Sequence, residues 1–267
     1  PCPPKTAWPP TLLTKPEHEG VVSDPCQPKT AWPPTLLTSV FLPVTKATII
    51  NILNSLWGCF LFADSIYNLP LTVYNEFRNE VTDMIFMTGD CHGDYRRFGS
   101  SIFKAQKEMT KADYVMICGD FGLWKDDAEQ WYWLKWLEAK PFTTLWVDGN
   151  HENYDWLKTF PIENWHGGKV QKILPSIIHL CRGQVFDLDS MTFFTFGGAA
   201  SHDISGGVLD PADPLFKSQL KQARMSYLPY RILHHSWWPE EMPSADEYAE
   251  GWENLARYND KVDVIVT

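Results

Sequence analysis

No Cys-x-x-Cys pair occurs in the 267 residues; the six cysteines, Cys2, Cys26, Cys59, Cys91, Cys118 and Cys181, lie far apart. That spacing indicates neither a zinc ribbon nor a disulfide framework and points to a reducing, cytoplasmic compartment. Positive charge is scarce as well. Lys and Arg number 23 against 33 Asp and Glu, a net charge of −10, so bulk charge does not draw in polyanions and stable nucleic-acid binding is not expected. No basic segment followed by an apolar run and a small-residue cleavage site is present, so no secretory signal is read. The first residue is Pro1 rather than Met, which is not the expected natural start. Apolar surface, by contrast, is plentiful. With 44% hydrophobic and 14% aromatic residues the composition is far from that of a disordered chain, and at this length it supports a sizeable core.

The patterning divides the chain into three regions. Residues 1–14 (PCPPKTAWPPTLLT) recur at 25–38 (PCQPKTAWPPTLLT), identical at thirteen of fourteen positions. Two copies are too few for a stacked repeat. Paired prolines remove amide donors and favour extended backbone, so residues 1–40 are read as a flexible arm. Residues 41–83 are read as an apolar leader or helix of unclear role. Its uncharged run, Ala47 to Ala63, is interrupted by Asn51, Asn54, Ser55 and Gly58, and at seventeen residues it is short for a bilayer span. A membrane association is therefore not expected.

From residue 84 onward short apolar runs alternate with helical segments. MIFMTGD (Met84 to Asp90), DYVMICGD (Asp113 to Asp120) and TTLWVDGN (Thr143 to Asn150) read as buried strands. Between them, Tyr95 to Thr110 and Asp126 to Ala139 have helical periodicity, the second with a core-facing stripe of Trp131, Leu134, Trp136 and Leu137. A βαβαβ order predicts parallel strands whose C-terminal ends share one edge, the place where open α/β sheets build sites. Beyond Gly167, the runs KVQKIL, SIIHLC, QVFDLD and MTFFTFGG are expected to form a second, antiparallel sheet. Ser244 and Glu247 then make a capping box for a helix reaching about Tyr258, followed by a buried strand, Val262 to Thr267.

Each of the first three strands closes on residues of metal-ligand type: Gly-Asp-Cys-His-Gly-Asp (89–94), Gly-Asp-Phe-Gly (119–122) and Gly-Asn-His-Glu (149–152). Asp90 and His92 are two apart, so an extended strand end would point both the same way. Three such turns on one edge would gather carboxylate, imidazole and amide ligands, a mixture suited to Mn, Fe or Zn.

These three motifs, in this order, resemble those of the calcineurin-like metallophosphoesterase family over residues 84–267, with the later segments FFTFGGAASHD and HHSWWPEE resembling a bacterial and phage subset of it. The resemblance implies an α/β fold, a four-layer αββα sandwich of two mixed sheets, and a site for two divalent metal ions. It implies that Asp90 and His92 bind the first metal, that Asp120 bridges both, and that Asn150 binds the second. His151 would meet the substrate phosphate or leaving-group oxygen, and Asp120 and His151 are thus the catalytic expectations. Two ions about 3.5 to 4 Å apart would lower the pKa of a bridging water and clamp the phosphoryl oxygens for in-line displacement. Glu152 or a backbone carbonyl is expected to orient the His151 ring.

The family completes its site with a Thr-His and a later Gly-His-x-His, whereas this sequence ends at Thr267; the fold is accordingly expected to be incomplete at its C-terminus, with activity reduced by the missing histidines. Gly-Asp-Phe-Gly also lacks the arginine of the Ser/Thr phosphatase branch, which disfavours that activity. Arg96 and Arg97 follow the first motif and either would suit a substrate phosphate. Asn150, His151, Arg97 and His202 are the expected substrate contacts, Asp203 sits beside His202 in the same Gly-rich loop, and loops 198–207 and 228–241 are expected to set the substrate. Cys91 should face away from the metals. His234 and His235 beside Trp237 and Trp238 fit either a substrate wall or the core, His179 has the setting of a core histidine, His166 that of a turn residue, and His18 belongs to the arm.

The resulting expectation is a dinuclear metal-dependent phosphoesterase acting on a small phosphomonoester or phosphodiester, including a nucleotide. A nuclease or nucleotide pyrophosphatase on the same site stays open, as does a binding protein that keeps the fold without the chemistry.

Overall fold

The computed structural model describes residues 84–267 together with the two-residue strand β1 (Leu42–Pro43). The arm at 1–40, the repeat and the apolar run at 47–63 lie outside the described residues. Among those described, no helix is long and apolar enough to cross a membrane.

Strands β2 (Ile85–Thr88), β3 (Tyr114–Cys118) and β4 (Thr143–Val147) pair in parallel, as the βαβαβ pattern requires. Their side chains alternate between two apolar cores, so neither face needs polar residues. Phe86, Val115, Ile117 and Trp146 face one core, which also takes Leu134 and Leu137 of helix α1 (Ala128–Glu138). Trp131 and Trp136 pack partly buried at its margin. Ile85, Met116, Leu145 and Val147 face the other core. Asp127 caps α1 by accepting the Gln130 amide at 2.9 Å.

The run from Tyr95 to Thr110 is not one helix. It forms two 3-10 turns, Tyr95–Phe98 and Lys104–Glu108, because Gly99 leaves the helical region with an extended ψ of 141° and is followed by two serines of weak helix propensity. A second correction concerns the later strands. β5 (Ile162–Trp165), β6 (Gly168–Leu174) and β7 (Ile177–Leu180) extend the first sheet, in the order β1-β2-β3-β4-β7-β6-β5. β7 pairs parallel with β4 and antiparallel with β6, so KVQKIL and SIIHLC belong to the first sheet rather than the second. β5 was not anticipated; it pairs with β6 across a tight turn in which His166 and Gly167 both have positive φ, the geometry a two-residue hairpin favours.

β8 (Gln184–Leu188) and β9 (Met191–Thr195) are the expected antiparallel pair of a second sheet. β12 (Val264–Val266) joins β9 in parallel, so this sheet is mixed too. Of β12 only Val266 is buried; Ile265 is 66% exposed, since the strand lies at the sheet's edge. Phe186, Leu188, Met191 and Phe193 pack against the first sheet. Phe194 and Phe196 face outward toward Tyr248, Gly251, Trp252 and Leu255 of α4 (Ala245–Arg257). The Ser244–Glu247 capping box opens α4 as the sequence indicated. Helix, sheet, sheet and helix thus stack in four layers. Between β9 and α4 lie β10 (Val208–Leu209), α3 (Phe216–Met225) and β11 (Arg231–Ile232), with β10 and β11 pairing in parallel. The short helix α2 (Tyr154–Leu157) follows the third motif.

Candidate metal centre

The ends of β2, β3 and β4 are stitched together by backbone hydrogen bonds. Asp120 O accepts the amides of Cys91 and His92 at 2.9 and 2.8 Å, and Phe121 O accepts Gly93 N at 3.0 Å. The approach is so close that a Cβ on Gly122, whose φ is +91°, would lie 2.6 Å from the His92 carbonyl carbon. A Cβ on Gly149 would lie 2.7 Å from Asp120 N and closer still to its carboxylate. Glycine is required at both places by contact, and at 122 by conformation as well.

This packing brings three of the expected residues together. Donor atoms of His92, Asp120 and His151 lie within 4.8 Å of one another. His92 Nε2 is 3.6 Å from Asp90 Oδ2 and 3.7 Å from Asp120 Oδ2, so two carboxylates face one imidazole. The reason differs from the one expected. β2 ends at Thr88, and a turn with His92 at φ +48° brings Asp90 and His92 together, not the pleat of an extended strand. Asp120 also has a positive φ, +45°, and its Oδ1 accepts the His151 amide at 3.0 Å. Mixed carboxylate and imidazole donors with an excess of negative charge fit a divalent cation of intermediate hardness.

His151 is half-buried, its ring edge-on to those of His92, 4.8 Å away, and Trp124, 5.2 Å away. Burial lowers its pKa, aided by His92 and Arg231 and opposed by Asp120 and Asp203. Glu152 does not orient this ring. Its fully buried carboxylate instead accepts the amides of Gly122 and Leu123 at 3.1 and 2.8 Å, holding the second motif's turn, and burial pushes its pKa well above the usual carboxylate range.

Asn150 donates through Nδ2 to Ser201 Oγ at 3.1 Å. Arg96 is tied to Asp94 by two bonds of 2.7 and 2.6 Å, whereas Arg97 makes only long contacts, 3.3 Å to Gly89 O and 3.4 Å to Thr88 Oγ1. His202 is exposed on the loop between β9 and β10. Its neighbour Asp203 binds Arg231 through both oxygens, at 3.0 and 2.7 Å. Cys91 is buried in the apolar core, and burial pushes its thiol up to about 12. His179 is a satisfied core histidine, bonded to Gln171 and Asp148. Trp238 is buried and, like His234, bonds Asp155; His235 is exposed.

The sequence reading missed the floor beneath the third motif. Asp148, 2% exposed, is bonded by His179 at 3.2 Å, Tyr154 at 2.9 Å and Arg182. Only Asp148, an acid closing an apolar strand, carries a local signal. Arg182, Ser201, Arg231 and Glu241 come from distant segments that nothing local links to the motifs.

No solved structure shows a significant match. Lariat debranching enzyme A of Xenopus laevis is 28% identical over 97 residues, covering 30% of this chain and 18% of that enzyme. The chain therefore matches less than a fifth of that relative's length. The family model for calcineurin-like phosphoesterases matches residues 84–267. Over two thirds of its length, and with the metal-ligand types of that family gathered at one sheet edge, the chain belongs to the calcineurin-like phosphoesterase family, a class of metal-dependent phosphoester hydrolases.

Proposed function

We propose that this chain hydrolyses a small phosphate ester with two divalent ions held by Asp90, His92, Asp120 and Asn150, Asp120 contributing to both. The observation that carries the reading is the convergence of His92, Asp120 and His151 within 4.8 Å, with Asp90 beside His92. Ions bound there would polarise the phosphoryl group and acidify a water molecule. The chain's own residues do the rest. Asp120 turns Oδ2 toward His92, 3.7 Å away, while Oδ1 holds the His151 amide. His151 is braced by the His92 and Trp124 rings, which supports a place for it as hydrogen-bond partner of a phosphoryl or leaving oxygen. Arg97, only weakly engaged by Gly89 and Thr88, has guanidinium donors to spare for a phosphate oxygen. Arg231 acts electrostatically on His151, which supports a place for loops 198–207 and 228–241, with His202, at the substrate's side.

Hydrolysis of bis(p-nitrophenyl) phosphate and of p-nitrophenyl phosphate with added Mn2+ tests the reading. Turnover abolished by Asp120→Asn is expected; turnover that persists in that variant, or that ignores the metal, overturns it. The two substrates also separate a diesterase from a monoesterase. A net charge of −10 weighs against a long polyanionic substrate.

A further inference from the structure

Ser201 Oγ lies between two polar partners, 2.6 Å from Glu241 Oε2 and 3.1 Å from Asn150 Nδ2. Its single hydrogen can serve only one of them. A carboxylate accepts and never donates, so the hydroxyl proton goes to Glu241, and the short separation is that of a charge-assisted bond. Toward Asn150 the serine oxygen is then an acceptor, and only the NH2 end of the amide can face it. Glu241, 3% exposed, is fixed in its turn, its other oxygen accepting Ser201 N at 2.8 Å. The 3-10 turn that carries it, Pro239–Glu241, is tied by Arg182 Nη2 to Glu240 O at 2.8 Å. The same nitrogen bonds Asp148, which precedes Gly149 and Asn150. Both ends of the relay therefore rest on one buried cation.

We propose that Glu241 and Ser201 are positioning residues that select the orientation of the Asn150 amide, leaving its carbonyl oxygen rather than its NH2 group for a divalent cation. The two ends of an asparagine amide are nearly equal in shape, but only the oxygen has lone pairs for a metal. Without a committed acceptor at Ser201, the amide turns over and the ligand is lost. This rests on the reading of Asn150 as a metal ligand.

The test is Mn2+ affinity, read from the free-ion electron paramagnetic resonance signal, for the wild type, Ser201→Ala, Asn150→Asp and the double variant. An aspartate presents oxygen whichever way it turns, so it has no need of the relay. Ser201→Ala is expected to weaken Mn2+ binding by about 10- to 100-fold when position 150 is asparagine. In the Asn150→Asp background the same change should cost less than about twofold, a large coupling between the two sites. A purely structural role would weaken both backgrounds alike. Equal losses in both, or no loss in either, overturn the proposal. Glu241→Gln provides a second square should Ser201→Ala fail to fold: its NH2 group would donate to Ser201, turn the hydroxyl toward Asn150 and draw the amide oxygen away. A wild-type chain that binds no Mn2+ removes the metal-centre reading and this proposal with it. Binding that is indifferent to the residue at 150 removes Asn150 as a ligand and this proposal with it, and leaves the site at His92 and Asp120 standing.

Discussion

Asp148 and Glu152 are both buried acids within one short stretch of chain, yet their surroundings drive them in opposite directions. Burial alone would raise the Asp148 carboxyl, but hydrogen bonds and charge from His179 and Arg182 prevail and bring it down to about 2. Because the folded value lies below the ordinary one, Asp148 contributes stability that is complete above about pH 4 and lost as pH falls toward 2, worth roughly 2 kcal/mol. Asp148→Asn should be strongly destabilised at neutral pH, by about 3–5 kcal/mol, since Arg182 keeps its buried charge without a partner. Denaturant titrations between pH 5 and pH 2 should show the gap between the two proteins narrowing as pH falls; a gap that stays constant would refute the assignment. Glu152 has backbone amides but no cation as bonding partners. Glu152→Gln keeps an acceptor for the Gly122 and Leu123 amides and abolishes the cost of ionising a buried acid, so its melting temperature at pH 7 should equal or exceed that of the wild type. Glu152→Ala orphans both amides and should cost about 1–3 kcal/mol.

Secondary-structure elements were legible where one signal dominated. Ser244 caps α4 with Glu247 reaching back to the Ser244 amide at 2.7 Å, a pattern written in two residues three apart. Ser244→Ala should lower stability by about 1 kcal/mol, visible as a melting temperature a few degrees lower. A loss under a few tenths of a kcal/mol would mean that packing against Phe194 and Phe196, not the cap, holds the helix start. The three parallel strands were equally plain, each an apolar run ending in Gly-Asp or Gly-Asn. The Asp, His and Asn residues that follow them lie at one edge because the order of parallel strands puts them there. The pairing of β6 and β7 was not legible. Both sheets present the same alternating apolar faces, and nothing in KVQKIL or SIIHLC tells β7 to run beside β4. At the site, Asp90, His92 and Asp120 could be named from spacing, whereas Ser201 and Glu241 could not. They reach Asn150 across 51 residues in one case and Ser201 across 40 in the other.

At the scale of the whole domain, the described residues set carboxylates at one edge of a two-sheet sandwich, and a cation should therefore stabilise it. Millimolar Mn2+ is expected to raise the melting temperature, since a ligand at 100 times its dissociation constant adds about 2.7 kcal/mol to the folded state. A chelator should reverse the shift, and Asp120→Asn should abolish it. An unchanged melting temperature across the Mn2+ titration would count against the site. The net charge of −10 works in the same sense, because it favours the approach of a cation.

Gly149 and Asp120 follow different strands, yet the space that a methyl group would need at Gly149 is already filled by Asp120. Under random mutagenesis the two positions should thus behave as a single inherited trait. A library at 149 selected for metal binding should return glycine alone, and a revertant of any other residue there should restore the glycine itself rather than compensate elsewhere. The site's closeness leaves evolution no intermediate step by which to rebuild it.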